Sequence, residues 1–310
     1  MPRRSPPRGS RPSPRRCALL LTSILAIAGA AAAEELQPAT AASTEEASLF
    51  RFLSRMPELI SQNLPMFQPG GAYWIYARPR FGNPLQGGFF RLDLGAWFKA
   101  TDHLSLNAGS QSYVWRDARE HDATRRGFYG VSSGVKYETS LSSPAGSAMS
   151  AGLNYSTPVS RPPLVLVDGF RHTDPYVSYS RPLNPKTRLV GFATFGADLL
   201  NRTPLPANFG VNELHSNSFG LSVGASRPWR HFSASLTLNS ATTELLSKHG
   251  QQVFGLVPQI FVPLFPGRIR FARVTLILSG KAITGPDGRQ FGSGLSVHWD
   301  LRSRPYEEPQ

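Results

Sequence analysis

The sequence predicts an all-β fold: a transmembrane antiparallel up-and-down barrel of about 12 strands, with a short N-terminal helical arm. Three observations lead there. From Gly71 onward apolar and polar residues alternate with a period of two, run after run. The connections between runs are short and long in turn. The polar parity is dominated by Gly, Ser, Asn and Thr, and it lacks the Lys/Glu surface of a soluble sheet. Charged residues are 17% of the chain, against roughly a quarter in an average soluble domain.

The first element, residues 1–33, has the layout of a secretory signal: six arginines and no acid, an apolar run from Cys17 to Ala28, and an alanine tract with a cleavage position after Ala33. The apolar run is short of the roughly 20 residues that a spanning helix needs. Arg15 and Arg16 also admit a twin-arginine reading, although a chain bound for a membrane should travel unfolded. Cys17 is the only cysteine, so a processed chain offers no disulfide, no thiolate metal site and no cysteine nucleophile. Removing the six leader arginines from the formal +13 leaves +7. Much of that charge falls in expected loops such as Arg116 to Arg126, where it is either a solvated surface or meets anionic lipid headgroups or anionic solutes. Nucleic acid is not an expected partner.

Residues 34–70 read as a periplasmic arm. Ser43 or Thr44 can cap a helix, Glu45 and Glu46 suit its positive end, and Leu49, Phe52, Leu53 and Met56 recur at helical spacing before Pro57 breaks or restarts it. A disordered leader, a plug and a partner-binding helix all fit that pattern.

Residues 71–301 carry the strands. Phe90, Leu92, Leu94, Ala96 and Phe98 share one face, while Arg91, Asp93, Gly95, Trp97 and Lys99 share the other. The same alternation returns in the runs beginning at Leu104, Tyr129, Met149, Phe219 and Phe232, and in the last run, Phe291 to Leu301. Five less regular runs, near residues 75, 179, 193, 258 and 275, fill the gaps. The run near 258 fits least well, because Pro258 and Pro263 cannot donate to a ladder. The short connections are KATDH, SLSSPAGS, LNPKT, RPWR and FPGR; the other set, from RFGNPLQGG to TGPDGRQ, is mostly longer. That is the pattern of tight turns on one side of a membrane and longer loops on the other. Residues 302–310 form a tail.

A soluble sandwich alternates as well, so the placing of charge has to decide. A lysine or arginine facing lipid at mid-depth costs roughly 2–4 kcal/mol. Arg91, Asp93, Lys136, Glu138, Arg273 and Lys281 all fall on the inward parity. The aromatics Tyr73, Trp74, Tyr129, Tyr137, Tyr155, Trp229, Phe232 and Trp299 lie toward the ends of runs, where membrane girdles form.

The final strand resembles the assembly signal of bacterial outer-membrane β-barrels: Gly294 after a small polar residue, then Val297 and Trp299 at alternate positions. The resemblance implies that the barrel-assembly machinery reads Gly294, Val297, Trp299 and Leu301. In that family the strand usually ends the chain, whereas RSRPYEEPQ follows here. The resemblance covers residues 71–301 as architecture and singles out no transporter family. It implies a protein of the outer membrane whose partners are outer-membrane lipid and lipopolysaccharide.

A barrel of this size leaves some lumen, and the expected function is a channel or uptake protein for small solutes. Its lining candidates are Arg91, Asp93, Gln111, Tyr113, Lys136, Glu138, Asn154, Asp198, Asn239, Arg273, Lys281, His298 and Asp300, or else Arg91 with Asp93 and Lys136 with Glu138 are ion pairs that fill the barrel. A lipid hydrolase is the rival. His215 stands beside Ser216, Asn217 and Ser218, but the phospholipase barrels place serine two residues after histidine, where this chain has Asn217. No catalytic residue is assigned, and no metal or cofactor is expected. A closed structural barrel that binds an envelope partner is the third reading.

Overall fold

The computed structural model describes residues 44–65, 68–81, 89–115, 126–142, 146–159, 170–200, 215–242, 252–264, 271–285 and 288–303. The expected leader, most of the longer connections and the end of the tail lie outside the described residues.

One helix precedes twelve strands. Helix α1 spans Thr44–Asn63, and the strands are β1 Tyr73–Phe81, β2 Phe89–Lys99, β3 Leu104–Trp115, β4 Arg126–Leu141, β5 Ser147–Pro158 and β6 Phe170–Asn184. They continue as β7 Thr187–Leu200, β8 His215–Pro228, β9 Ser233–Thr242, β10 Gln252–Pro263, β11 Ala272–Gly285 and β12 Gly288–Arg302. Each strand pairs antiparallel with its sequence neighbours, and β1 closes on β12, with Ile75 opposite Leu301 and Ala77 opposite Trp299. Closure satisfies every strand edge, which a spanning sheet requires because hydrocarbon offers no hydrogen bonds.

The two faces divide as the alternation predicts. Ile75, Leu94, Phe98, Leu106, Leu153, Leu221, Leu238, Leu256 and Leu295 are exposed on the outside, whereas Ser105, Lys136, Ser150, Ser178, Ser222 and Asn239 are buried within. An apolar outside around a polar inside is stable only in a bilayer. The chain is therefore a transmembrane β-barrel. Tyr73, Tyr137, Tyr155 and Trp299 are exposed near strand ends, as girdle residues are, but Trp74 is not. It turns inward and stacks on Trp97 with ring centroids 5.6 Å apart.

Two connections differ from expectation. The β11–β12 connection, assigned to the longer set, is two residues, because the ladder runs unbroken from Ala272↔Leu301 to Gly285↔Gly288. The β10–β11 connection, expected to be a tight turn, spans eight residues, from 264 to 271. The prolines of β10 do stay in a closed barrel. The β10–β11 ladder skips Val257 and Pro258, resuming at Gln259↔Ser279, so the missing donor falls in an interruption. A similar gap in the β1–β12 ladder, between Ala77↔Trp299 and Arg80↔Ser296, leaves Arg78 and Pro79 unpaired on that side.

Helix α1 does not stand off as an arm. It continues through Pro57 and sits inside the barrel, with Leu49, Phe52, Leu53, Met56 and Ile60 in one buried cluster with Tyr176, Phe192, Ala241, Val253 and Ile283 of the wall. An interior proline forfeits one helical hydrogen bond and crowds the preceding turn. Here apolar side chains on both sides of Pro57 are fixed by the wall, and tertiary packing outweighs that local cost.

Candidate functional site

The candidate site is the lumen and the helix that occupies it. The 3.6-residue period puts Leu49, Phe52, Leu53, Met56 and Ile60 in one stripe, and each is buried. Full burial of such side chains contributes about 1.5–3 kcal/mol apiece. Three glycines admit the stripe: a Cβ on Gly196, Gly220 or Gly255 would lie under 3.0 Å from Phe52, from Met56 and Phe52, or from Leu53. Because inward positions of β7, β8 and β10 carry no side chain there, a helix fits where side chains would otherwise fill the barrel.

The opposite side of the helix meets charge. The Glu58 carboxylate bridges two strands, accepting from Arg80 Nη2 at 2.7 Å and from Arg91 Nη2 at 3.2 Å. The same two guanidinium groups reach Asp93, Arg80 through Nε at 3.0 Å and Arg91 through Nε at 2.8 Å and Nη2 at 3.0 Å. Two cations and two anions thus alternate around a ring, and Gln62 Nε2 adds a donor to Glu58 at 2.9 Å. Helix α1 is not a spanning segment. Burial works to raise the Glu58 carboxyl, but Arg80, Arg91 and Arg78 together outweigh it and hold the group at about 2, from an ordinary 4.5. Arg55, one turn earlier, lies 3.7 Å from Asp174 of β6.

The C-terminal end of the helix is held by a third set. Asn63 O accepts from Ser150 Oγ at 2.5 Å and Ser178 Oγ at 3.2 Å, and Leu64 O accepts from Lys136 Nζ at 3.1 Å. The last carbonyls of a helix lack internal partners, and a cation there also complements the helix dipole. Lys136 lies 4.7 Å from the Trp97 ring centroid and 3.5 Å from Glu138, which also pairs with Lys99. Ser150 and Ser178 belong to the short-turn end of the barrel, whereas Gly196 and Gly220 lie toward the long-connection end. The helix therefore runs along the lumen with Asn63 toward the short turns.

Arg78 is held differently from Arg80 and Arg91. Arg78 is 8% exposed, its guanidinium carbon lies 4.3 Å from the Tyr76 ring centroid, and its Nε and Nη1 have no hydrogen-bond partner. It lies in register with Asp93 on one side, and the interrupted β1–β12 ladder places it opposite His298 on the other.

Of the residues singled out from sequence, Arg91, Asp93, Lys136 and Glu138 come together around the helix, in two separate ion-pair groups. Both expected pairings exist, but each has recruited further partners. Gln111, Asn154, Lys281, His298 and Asp300 are half-buried along the wall, Asn239 is buried and accepts from Ser222 Oγ at 2.6 Å, and Arg273 is exposed, in register with Asp300. The side chains of Tyr113, Tyr129, Asp198, His215, Ser216 and Asn217 lie outside the described residues. Ser218 is fully buried. Gly294, Val297 and Trp299 are in β12, with Trp299 exposed on the lipid side. Sequence reasoning missed Glu58, Arg78, Arg80 and Lys99. The alternation Trp74, Tyr76, Arg78, Arg80 was there to read, but Pro79 and the outward Tyr73 beside Trp74 blurred it.

No family model matches the chain, and no curated protein matches it. Among solved structures it is similar to the KdgM porin in complex with disordered oligogalacturonate, at 8% identity over 74% of this chain and 98% of that one, TM-score 0.46. It is also similar to an outer membrane channel from Pseudomonas putida F1, at 11% identity over 76% and 96% of the two chains, TM-score 0.47. A third likeness is to the NanC porin, at 9% identity over 74% and 98%, TM-score 0.45. Likenesses of this degree assign neither a solute nor a residue role.

Proposed function

We propose that the protein is an outer-membrane channel for small solutes whose lumen is gated by its own N-terminal helix. The observation that carries this reading is the seating of α1: an apolar stripe on one wall and a carboxylate among arginines on the other. A barrel that only needed filling would do so with wall side chains. Here glycines make room for a separate segment that belongs to no strand ladder. Such a segment can move without breaking a strand ladder. The channel is open when the helix has shifted and closed in the arrangement described.

The test locks the helix in place. Met56 Sδ lies 2.8 Å from where a Gly220 Cβ would be, so a Met56→Cys, Gly220→Cys pair brings a thiol of the helix and a thiol of the wall to the same level of the lumen. Oxidised protein in a planar bilayer is expected to be silent, and reduction is expected to restore conductance steps. Equal steps in both states would show that the helix is not the gate. Silence in both, and in the wild type, would mean a filled barrel and no channel.

A further inference from the structure

The channel reading leaves open what the lumen recognises, and the surroundings of Glu58 supply an answer that rests on that reading. We propose that Arg78, Arg80 and Arg91 form a binding site for small carboxylates, and that Glu58 of the helix occupies it as a built-in substitute for the solute.

Two features of the geometry support this. First, the Glu58 carboxylate is held as a bound ligand would be, with one oxygen on Arg80 at 2.7 Å and the other on Arg91 at 3.2 Å. Guanidinium pairs recognise planar carboxylates by this two-point contact. The carboxylate comes from a segment outside the wall, so the wall keeps its three arginines when the helix shifts. Asp93 stays on the wall with Arg80 and Arg91. Second, Arg78 has no hydrogen-bond partner for Nε or Nη1 although it is more than nine-tenths buried. A buried charged group with unmet donors is costly, and an incoming carboxylate provides what those donors lack. Asp300 and His298 also face this part of the wall, Asp300 opposite Tyr76 and His298 at the register position opposite Arg78. With Glu58 gone the three arginines exceed Asp93 and Asp300 by one charge, and the unmet donors of Arg78 stand apart from the Arg80–Arg91 fork as a second anchor. A dicarboxylate therefore fits better than a monocarboxylate, one end in place of Glu58 and the other on Arg78.

The mechanism is competition. Solute carboxylate takes over the Arg80–Arg91 fork, Glu58 leaves it, and the charged wall no longer holds the helix. No bond is made or broken; the exchange is one anion for another.

Calorimetric titration of the detergent-folded full chain tests the site without depending on conductance. The probes are succinate, acetate, phosphate and chloride at constant ionic strength. Glu58→Gln is expected to raise succinate affinity about tenfold over wild type, with succinate bound more tightly than acetate and both more tightly than chloride. Adding Arg78→Ala is expected to lower succinate affinity about tenfold and leave acetate less affected. Arg78→Lys keeps the charge without the fork and should lie between. Heat-modifiable migration on a gel establishes that each variant is folded.

The proposal is overturned if Glu58→Gln does not strengthen succinate binding, or if Arg78→Ala leaves it unchanged. It is also overturned if phosphate and chloride bind as tightly as the carboxylates. A protein that conducts but binds no succinate defeats this inference and leaves the channel reading intact. One that binds succinate and never conducts does the reverse.

Discussion

The two walls of the lumen hold the same helix by different physics. On β7–β11, Phe192, Ala241, Val253 and Ile283 grip an apolar stripe through shape, and Gly196, Gly220 and Gly255 let it approach. On β1, β2 and β4–β6 the helix is held by Arg80, Arg91, Lys136, Ser150 and Ser178 through charge and hydrogen bonds. The apolar wall provides adhesion that salt and pH barely alter. The charged wall provides a contact that another anion can replace, because an ion pair is an exchange between partners. A gate needs both: a wall that keeps the helix in register and a wall that can release it.

That contrast breaks most severely if the apolar wall is made polar. Leu53→Asp places a carboxylate against Gly255 and Ile283, with no cation among its cluster neighbours. Burying an unpaired charge costs several kcal/mol, more than the charged wall can hold against. The helix is expected to leave the lumen, read as rapid proteolysis of the segment before Tyr73 with the barrel itself resistant, and as open conductance. Gly220→Leu tests the same wall from the other side, since overpacking costs about 1–3 kcal/mol. Its expected effect is partial cleavage and flickering openings. If both variants stay protected, adhesion does not reside in the stripe.

On the charged wall, Lys136→Met removes the donor to Leu64 O and one of two cations beside Glu138. A lost charged hydrogen bond is worth about 1.5–3 kcal/mol, and Lys99 remains to pair Glu138. Protection near residue 64 should fall while protection around Phe52 persists. Uniform loss along the helix would mean that it docks as a single unit.

How much of this was legible in the sequence differs between the same two regions. The wall of the barrel was readable because a period of two repeats along seven of the twelve strands, and a register error would put Lys136 or Glu138 in lipid. The helix was readable as a helix, from Thr44 and the spacing of Leu49, Phe52, Leu53 and Met56. Its address was not. An amphipathic stripe records that something apolar lies opposite, and Val253 and Ile283 come some two hundred residues later, in two of the less regular runs. Gly220 reads as one more small residue of the polar parity, and Gly196 and Gly255 fall in the less regular runs, whereas their contacts with Phe52, Met56 and Leu53 are what make the groove. Glu58 carried no local signal, since its partners Arg80 and Arg91 lie in strands on either side of a connection. Pro57 pointed the wrong way, because a propensity rule cannot see packing that overrides it.

The smallest expected effect concerns pH and sharpens the division between the walls. The Glu58 carboxyl is lowered in the docked helix, to about 2 from an ordinary 4.5. A lowered carboxyl stabilises docking fully above its undocked value, and that contribution is lost as pH falls through the docked one. Between pH 8 and pH 5 the Glu58 contact is therefore constant, and proteolytic protection of the helix should not change on its account. Loosening begins below pH 4.5 and is complete near pH 2. Glu58→Gln should remove that acid limb while leaving the apolar grip in place. A wild-type transition at pH 6 that survives in Glu58→Gln would place the sensitive group elsewhere on the charged wall. A helix still fully protected at pH 2 would mean that the apolar wall alone is enough to hold it, and that the arginines serve the solute more than the gate.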